Sequence, residues 1–136
     1  MHQELLRELS VITEEEQKIL DGRQEIDPQI YTEKKDMVID SGKLLQRGKL
    51  IQVRPHTRFV HFPEHTHNYI EVIYMCQGST THILNGREVV LKQGDLLFLN
   101  QNAVQEILPA GKDDIAVNFI ILPEFLDTAF EMMGKE

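Results

Sequence analysis

From residue 49 onward, the chain consists of short segments of alternating apolar and polar residues separated by turn-forming sequences. A period of two is typical of strands that bury one face. The turn signals are RPH, FPEH, QGS, NG, KQG, QNA and PAGKDD. We predict strands at 49–54, 57–62, 68–77, 79–84, 87–92, 95–100, 104–108 and 114–122. Many short strands at this spacing indicate an all-β sandwich or barrel.

Helical periodicity precedes and follows this region. Three leucines share one helical face near the start: Leu5, Leu6 and Leu9. TEEE at 13–16 predicts a capping box that opens a second short helix, which would bury Ile19 and Leu20. DSGKLL from Asp40 predicts a further helical turn that ends near Gly48. An apolar stripe after Pro123 predicts a C-terminal helix, and its members are Phe125, Leu126, Ala129, Phe130 and Met133.

These segments predict one domain in three parts. A helical arm (residues 1–47, "the arm") packs on a β-barrel over 48–122, and 123–136 begin a C-terminal helix. A length of 136 residues with 41% hydrophobic content suits a single core of this kind. Because the C-terminal helix is apolar and the chain stops within it, we expect either a partner surface or a truncation before a further region.

Charge and composition narrow the classes of function. A net charge of −8 and scattered basic residues argue against a chain that grips nucleic acid by itself. The sequence contains neither a secretory signal nor a run long enough to cross a membrane. Cys76 is the only cysteine, which excludes an intramolecular disulfide and favours a reduced compartment. We therefore expect a cytoplasmic protein.

One hairpin can be predicted in register. Asn85-Gly86 lies between two strand patterns and is typical of a two-residue type I′ turn. Such a loop pairs Leu84 with Arg87, Ile83 with Glu88, His82 with Val89 and Thr80 with Leu91. Glu88 and Lys92 then mark the outer face. His82 is therefore predicted to point into the interior, unless a bulge reverses its face.

The stretch HTHNYIEVIYMCQG, residues 65–78, carries the chemistry. In one continuous strand, His65, His67, Tyr69 and Glu71 would share a face, while Asn68 and every second residue after it would point the other way. A buried glutamate needs a partner, because an unpaired buried carboxylate is strongly disfavoured. Three interpretations stay open: a hydrogen-bonded network, a site for a hydroxyl-bearing or amino ligand, and a divalent metal site.

The same stretch resembles the first motif of the cupin superfamily, with His65, His67, Glu71 and Gly78 in place. The upstream glycine of that motif would fall at Phe59. GDLLFLNQNAVQ resembles the second motif, with Gly94 in place, Asn100 and Asn102 at the usual proline and glycine, and Gln105 at the last histidine. The resemblance implies a small β-barrel (double-stranded β-helix) with a pocket. It allows one divalent metal ion, for which the ligands would be His65, His67, Glu71 and Gln105, the last a weak neutral amide.

A narrower resemblance extends over residues 58–107. HNYIE followed by GDLLFLNQ is similar to the amino-terminal sensing domain of AraC-family transcriptional regulators. This implies a regulatory domain without enzymatic activity that binds a small polar effector, such as a sugar, and forms a homodimer. DNA would be bound only through a C-terminal helix-turn-helix region, which these 136 residues do not contain.

Individual residues and functions have alternatives. The predicted ligand-binding residues are His65, His67, Tyr69, Glu71, His82, Gln105 and Arg58, and no catalytic residue is predicted. Arg58 could hold a carboxylate or hydroxyl, although a surface position is common for arginine. Tyr69 could stack on a sugar ring or belong to the core. The alternative functions are a metal-dependent cupin enzyme (oxygenase or isomerase) using His65, His67 and Glu71, and a dimerisation module with a vestigial pocket.

Overall fold

The computed structural model describes residues 3–23, 25–33 and 37–133, and within these ranges nine strands form two sheets. The strands are β1 (Val38–Ile39), β2 (Ile51–Pro55), β3 (Phe62–His67), β4 (Ile70–Gln77), β5 (Ser79–Leu84), β6 (Arg87–Lys92), β7 (Leu96–Leu99), β8 (Gln105–Ile107) and β9 (Ile115–Ile121). The helices are α1 (Gln3–Ser10), α2 (Glu14–Lys18), α3 (Pro28–Tyr31), α4 (Ser41–Leu44) and α5 (Pro123–Met133). The predicted mainly β, cupin-like fold with helices at both ends is confirmed.

The two sheets have the orders β1-β3-β8-β5-β6 and β2-β9-β4-β7. Apart from the parallel pair β1 and β3, neighbouring strands run antiparallel. The core lies between the sheets, because residues from both form one buried cluster, among them Ile73, Met75, Leu91 and Leu99. The part of the chain that is described has no helix long and apolar enough to cross a membrane.

The hairpin between β5 and β6 has the predicted register. All four predicted pairs are present, from Leu84 with Arg87 to Thr80 with Leu91. The turn residues Asn85 and Gly86 have φ values of 50° and 83°, as a type I′ turn requires. His82 is fully buried, so its predicted inward orientation holds in the structure.

Residues 65–71 do not form one strand, which corrects the sequence prediction. β3 ends at His67 in the first sheet, and β4 begins at Ile70 in the second. The predicted strand at 57–62 is replaced by a loop, with the strand displaced to Phe62–His67. The histidines and Glu71 are nevertheless all buried, because the two sheets face each other across the core and each turns these side chains inward.

The arm contains the predicted capping box and two elements that the sequence pattern did not indicate. The Thr13 side chain caps α2 by accepting a hydrogen bond from the Glu16 amide. The Glu16 carboxylate in turn accepts a hydrogen bond from the Thr13 amide. A π-helical turn follows over Ile19–Arg23 and is kinked at Gly22, where φ is 119°. Ile19 is buried as predicted, but Leu20 is 48% exposed, contrary to prediction. α4 ends at Leu44 rather than near Gly48. The additional elements are α3 and the short strand β1.

Candidate functional site

A chain of hydrogen bonds runs along the inner face of the first sheet, from Thr80 of β5 to Pro63 of β3. The Thr80 hydroxyl donates to His82 Nε2 over 2.8 Å, and His82 Nδ1 donates to Gln105 Oε1 over 2.9 Å. Gln105 Nε2 lies 3.4 Å from His65 Nε2, and His65 Nδ1 donates to the Pro63 carbonyl over 2.7 Å. One neutral tautomer of each histidine satisfies every link. The predicted residues His65, His82 and Gln105 are therefore in direct contact.

Glu71 approaches this chain from the second sheet. Its carboxylate accepts a hydrogen bond from Gln105 and a longer one, 3.4 Å, from the Tyr69 hydroxyl. Burial raises the pKa of Glu71 to about 7, although both hydrogen bonds act in the opposite direction. The Tyr69 pKa is raised as well, first by burial and then by the neighbouring Glu71. The structure thus brings Tyr69 and Glu71 together with Gln105.

Burial keeps the neighbouring histidines neutral near pH 7. It lowers the pKa of His65 to about 4, and it also lowers the pKa of His82 and His67. His56, which sequence reasoning left out of the candidate site, lies with its ring centre 6.3 Å from that of His82. Burial and the adjacent His82 lower the pKa of His56 to about 4. The interior therefore presents uncharged hydrogen-bonding groups.

His67 takes a separate position. Its Nδ1 donates to the Tyr69 carbonyl over 2.6 Å, and its ring stacks on the Tyr69 ring at 4.5 Å between centres. Its Nε2 is buried and has no hydrogen-bond partner among the residues that the structure describes. The stacking and the Nδ1 hydrogen bond hold the ring in place. Within the described residues, neither a hydrogen bond nor a ring contact joins His67 to His65.

The residues present do not fit the metal site that the cupin resemblance allowed. Within 3–23, 25–33 and 37–133, no group of three or more histidine, cysteine, aspartate or glutamate side chains is arranged to hold a metal ion. The amide of Gln105 instead lies between His65 and His82 and hydrogen-bonds to both. An amide nitrogen is a hydrogen-bond donor and not a metal ligand. We therefore assign no chemistry through a metal here.

Arg58 does not join the interior cluster, which corrects the prediction that it contacts the ligand. Its Nε and Nη2 donate to the two carboxylate oxygens of Glu16 over 2.8 and 2.9 Å. Its Nη1 and Nη2 also reach the carbonyls of Lys112, Ser10 and Val11. The side chain is almost completely buried in this contact. With its guanidinium used in this way, Arg58 fastens the arm to the sheets.

Two cavities adjoin each other near β2. The inner cavity is about 40 Å³ and is lined by residues of both sheets and of the arm, including His65, Tyr69, Glu71, Gln105, Asn118 and Tyr31. The outer cavity is about 380 Å³ and lies between α2, α3 and β2, with Ile19, Glu25 and Ile30 among its lining residues. Four consecutive residues belong to both walls: Arg54, Pro55, His56 and Thr57.

Tyr31 of α3 lies at the boundary between the cavities. Its hydroxyl donates to Glu15 over 2.7 Å and lies 2.9 Å from Thr57 Oγ1, and its ring packs edge-on against Phe62. Sequence reasoning missed Tyr31 and Asn118, because nothing local marks either residue. The alternation of Arg54 and His56 in RPH was a usable signal, since both project from one face of the strand's end.

A family model described as the AraC-like ligand binding domain matches residues 51–130. Among curated proteins, the HTH-type transcriptional activator RhaR of Klebsiella pneumoniae is 32% identical over 74 residues, which are 54% of this chain and 26% of that protein. The activator RhaS of Pectobacterium carotovorum is 32% identical over 56 residues, or 41% and 20% of the two chains. The chain thus spans about a quarter or less of the length of these relatives.

Solved structures with a similar fold include several proteins of low sequence identity. The plu4264 protein of Photorhabdus luminescens has a TM-score of 0.48 at 15% identity, covering 68% of this chain and 81% of that one. A cupin protein of Bacteroides fragilis has a TM-score of 0.42 at 20% identity, with 54% and 66% covered. The EutQ protein of Clostridium difficile has a TM-score of 0.43 at 22% identity, with 54% and 55% covered.

Proposed function

Since the chain belongs to the AraC-like ligand binding domain family, we propose that it is the effector-sensing and dimerisation part of a DNA-binding transcriptional regulator. A small polar effector, such as a sugar, binds at the inner cavity of the barrel under this proposal. DNA binding is assigned to a helix-turn-helix region of the full protein outside these 136 residues. A regulator of this kind acts in the cytoplasm, where it can reach DNA.

The observation that carries the proposal is the polar lining of a buried cavity. His56 Nε2 and Asn118 Oδ1 line the inner cavity and have no hydrogen-bond partners in the described part of the chain. An unpaired buried polar group costs about 1–3 kcal/mol. A hydroxyl-bearing molecule could pair with both atoms and recover that free energy. Glu71 and Gln105 line the same cavity and supply a further acceptor and donor.

The small volume of the inner cavity supports a role in switching. A cavity of about 40 Å³ has room for little more than one water molecule, whereas ligand pockets usually measure roughly 300–1,000 Å³. An effector therefore binds only when lining side chains move. Two arrangements with different affinity for the effector are the physical requirement for regulation.

Tyr31 connects such a movement to the rest of the molecule. It belongs to the arm, yet its ring packs against Phe62 of β3 and its hydroxyl contacts Thr57 beside β2. An effector that displaces Tyr31 also breaks its hydrogen bonds to Glu15 at the start of α2. The position of the arm thus depends on whether the cavity is filled, and this movement is the signal we propose for the partner domain.

The proposal is tested by thermal unfolding with a panel of neutral monosaccharides, polyols and hydroxy acids. A ligand at a hundred times its Kd stabilises the folded state by about 2.7 kcal/mol, or roughly 5–10 °C for a domain of this size. We expect at least one panel member to raise Tm in the wild type and in Glu88→Gln, a control on the exposed face of β6. The shift should be lost in Glu71→Gln. Equal shifts in Glu71→Gln, or none in the wild type, would count against the proposal.

A further inference from the structure

Arg54 is a half-buried cation that has no anionic partner in the part of the chain that the structure describes. Among the lysine and arginine side chains that the structure describes, only Arg54 and Arg58 are not exposed. Arg58 is saturated by Glu16 and three backbone carbonyls. The Arg54 side chain forms no ion pair or hydrogen bond within residues 3–23, 25–33 and 37–133, and its guanidinium lies over the Tyr31 ring at 5.8 Å. A guanidinium in this state has its donors available for a ligand.

The groups around Arg54 are suited to the rest of a polar molecule. Arg54 belongs to the walls of both cavities together with His56, which is buried and has an unpaired Nε2 in the described structure, and Thr57. Ile19 and Ile30 form apolar parts of the outer wall. Burial lowers the pKa of His56 to about 4, so His56 is neutral near pH 7. Lys18 and Arg23 also line the outer cavity, but each of them lies beside a carboxylate.

Three of the five carboxylates that line the outer cavity are paired with cations other than Arg54. Glu16 pairs with Arg58, Asp27 lies 3.5 Å from Arg23, and Glu14 lies 3.6 Å from Lys18. The two Glu15 oxygens accept hydrogen bonds from the Tyr31 hydroxyl. Glu25 is exposed at the rim. None of these groups pairs with Arg54, although Asp27 and Glu16 line the same cavity.

We propose that the effector is a small carboxylic acid with neighbouring hydroxyl groups, and that its carboxylate binds Arg54 from the outer cavity. The planar guanidinium binds a carboxylate through two parallel hydrogen bonds, which gives both affinity and orientation. Hydroxyl groups of the same molecule pair with His56 Nε2 and Thr57 Oγ1. The 380 Å³ of the outer cavity lies at the lower end of ligand pockets, which suits an acid of monosaccharide size.

This inference rests on the proposed sensing function and names the chemical class of the effector. It also extends the site beyond the interior cluster. The acid first occupies the outer cavity and can reach the inner one past Tyr31, because Arg54, His56 and Thr57 face both. Selectivity for an acid over a neutral sugar then comes from one side chain, Arg54.

The test compares ligands that differ only in the carboxylate. Galacturonate is paired with galactose, glucuronate with glucose, and glycerate with glycerol, at constant ionic strength and pH 7.5, with acetate as a simple anion. Binding is measured by thermal unfolding and calorimetric titration for wild type, Arg54→Gln, Arg54→Lys and Lys49→Gln. Lys49 is an exposed control on the segment that leads into β2.

We expect at least one hydroxy acid to bind the wild type and Lys49→Gln, while its neutral counterpart and acetate do not. Arg54→Gln should weaken that acid at least tenfold, and Arg54→Lys should fall between, because it keeps the charge without the paired donors. If Arg54→Gln is poorly folded by circular dichroism, Arg54→Lys alone decides, since unchanged affinity in that variant would overturn the inference.

Two other outcomes separate this inference from the proposed function. If a neutral sugar binds as well as its acid, and Glu71→Gln abolishes that binding, the effector is not restricted to acids. The proposed effector sensing then still stands. The proposed role of Arg54 is overturned if an acid binds wild type and Arg54→Gln equally. It is also overturned if the hydroxy acids bind no better than acetate. Absence of binding by every acid in the panel overturns the inference as well.

Discussion

Phe59 holds a left-handed backbone conformation, with φ at 71°. A side chain in this region costs roughly 1–2 kcal/mol, a penalty that glycine does not have. Phe59 packs at the margin of a buried cluster, and the Arg58 guanidinium lies 5.2 Å from its ring centre. This is the position at which the cupin motif has its upstream glycine. A packed aromatic side chain thus occupies a backbone conformation that favours glycine.

A pair of substitutions at Phe59 separates backbone strain from packing. Both Phe59→Ala and Phe59→Gly lose the ring contacts, but only glycine removes the strain. We expect Phe59→Gly to be more stable than Phe59→Ala by about 1 kcal/mol in chemical denaturation. At Phe98, an exposed strand position, the order should reverse, because glycine there costs about 0.5–1 kcal/mol relative to alanine. The same order at both positions would contradict this account of Phe59.

Glu71 makes stability depend on pH near neutrality. Burial raises its pKa from an ordinary value of 4.5 to about 7, so above pH 4.5 the folded state retains a proton that the unfolded state releases. The contribution of this group is fully present below pH 4.5 and is lost as pH rises through 7. The buried histidines His56 and His65 act in the opposite direction, since their contribution is lost as pH falls from 6.5 to about 4.

A comparison of wild type with Glu71→Gln at each pH isolates the glutamate from the histidines. The free energy of unfolding of the wild type, minus that of the variant, should fall by about 2–3 kcal/mol between pH 5 and pH 8. Denaturant titrations at several pH values measure this difference. In Glu88→Gln, where the side chain is exposed, the difference should stay constant across the range. A flat difference for Glu71→Gln would show that this carboxyl titrates normally.

At the scale of the elements, a buried ion pair joins the arm to the loop before β3, in addition to the apolar packing of the arm on the sheets. Arg58 and Glu16 are both almost inaccessible to solvent and lie 2.8 Å apart. Burial by itself raises the pKa of Glu16, but hydrogen bonds from Arg58 and Thr13 outweigh it and hold that pKa below its ordinary value. Glu16 also serves in the capping box of α2, so the same carboxylate shapes the helix start and fixes it to the sheets.

Removal of one partner leaves the other charge buried without compensation. Arg58→Met should therefore lower the free energy of unfolding by about 3–5 kcal/mol, and amide exchange in α2 should become faster. The exposed pair of Lys18 and Glu14 provides the control, because Lys18→Met should change stability by less than about 0.5 kcal/mol. If the two variants were equally stable, Arg58 would not be the attachment point of the arm.

At the scale of the molecule, two of the exposed apolar surfaces within the described residues stand out. One is the outer face of the sheet β2-β9-β4-β7, where Phe98 is 70% exposed and Leu96 lies beside it. α1 covers another part of that face through Leu6 and Leu9. The second surface is α5, on which Phe130 is 63% exposed and Met132 and Met133 are also accessible. Exposed apolar area of this kind marks association surfaces.

We expect α5 to carry the dimer contact that the proposed function includes. Phe130→Glu together with Met133→Glu should convert a dimer to a monomer, measured by size-exclusion chromatography with light scattering at micromolar concentration. Burial of a glutamate in an apolar contact is strongly unfavourable, which gives the expected direction. Phe98→Ser is the matched control on the sheet. If Phe98→Ser dissociates the dimer and the α5 variant does not, the sheet face is the interface; a monomeric wild type would refute dimerisation.

Local patterns predicted the parts of the fold that depend on neighbouring residues. The β5–β6 register followed from Asn85-Gly86, because a two-residue turn determines every pair beyond it. The resemblance to AraC-family sensing domains, based on motifs at 65–78 and 94–105, is confirmed by the family match over 51–130. The break at 68–69 was not predictable in this way, since alternation continues through it while the chain passes from one sheet to the other.

By itself, the sequence determined the strands and turns from β5 to β9, which residues face inward along the β5–β6 hairpin, and which family the chain belongs to. These properties depend on side-chain periodicity and turn conformation over a few residues. Only the tertiary structure decided that Arg58 forms an ion pair with Glu16, that Gln105 lies between two histidines, and that Arg54 and Tyr31 are in contact at the cavity wall. Each of these contacts joins residues 20 or more positions apart, and the packing of the arm and two sheets alone brings them within hydrogen-bond or ring-contact distance.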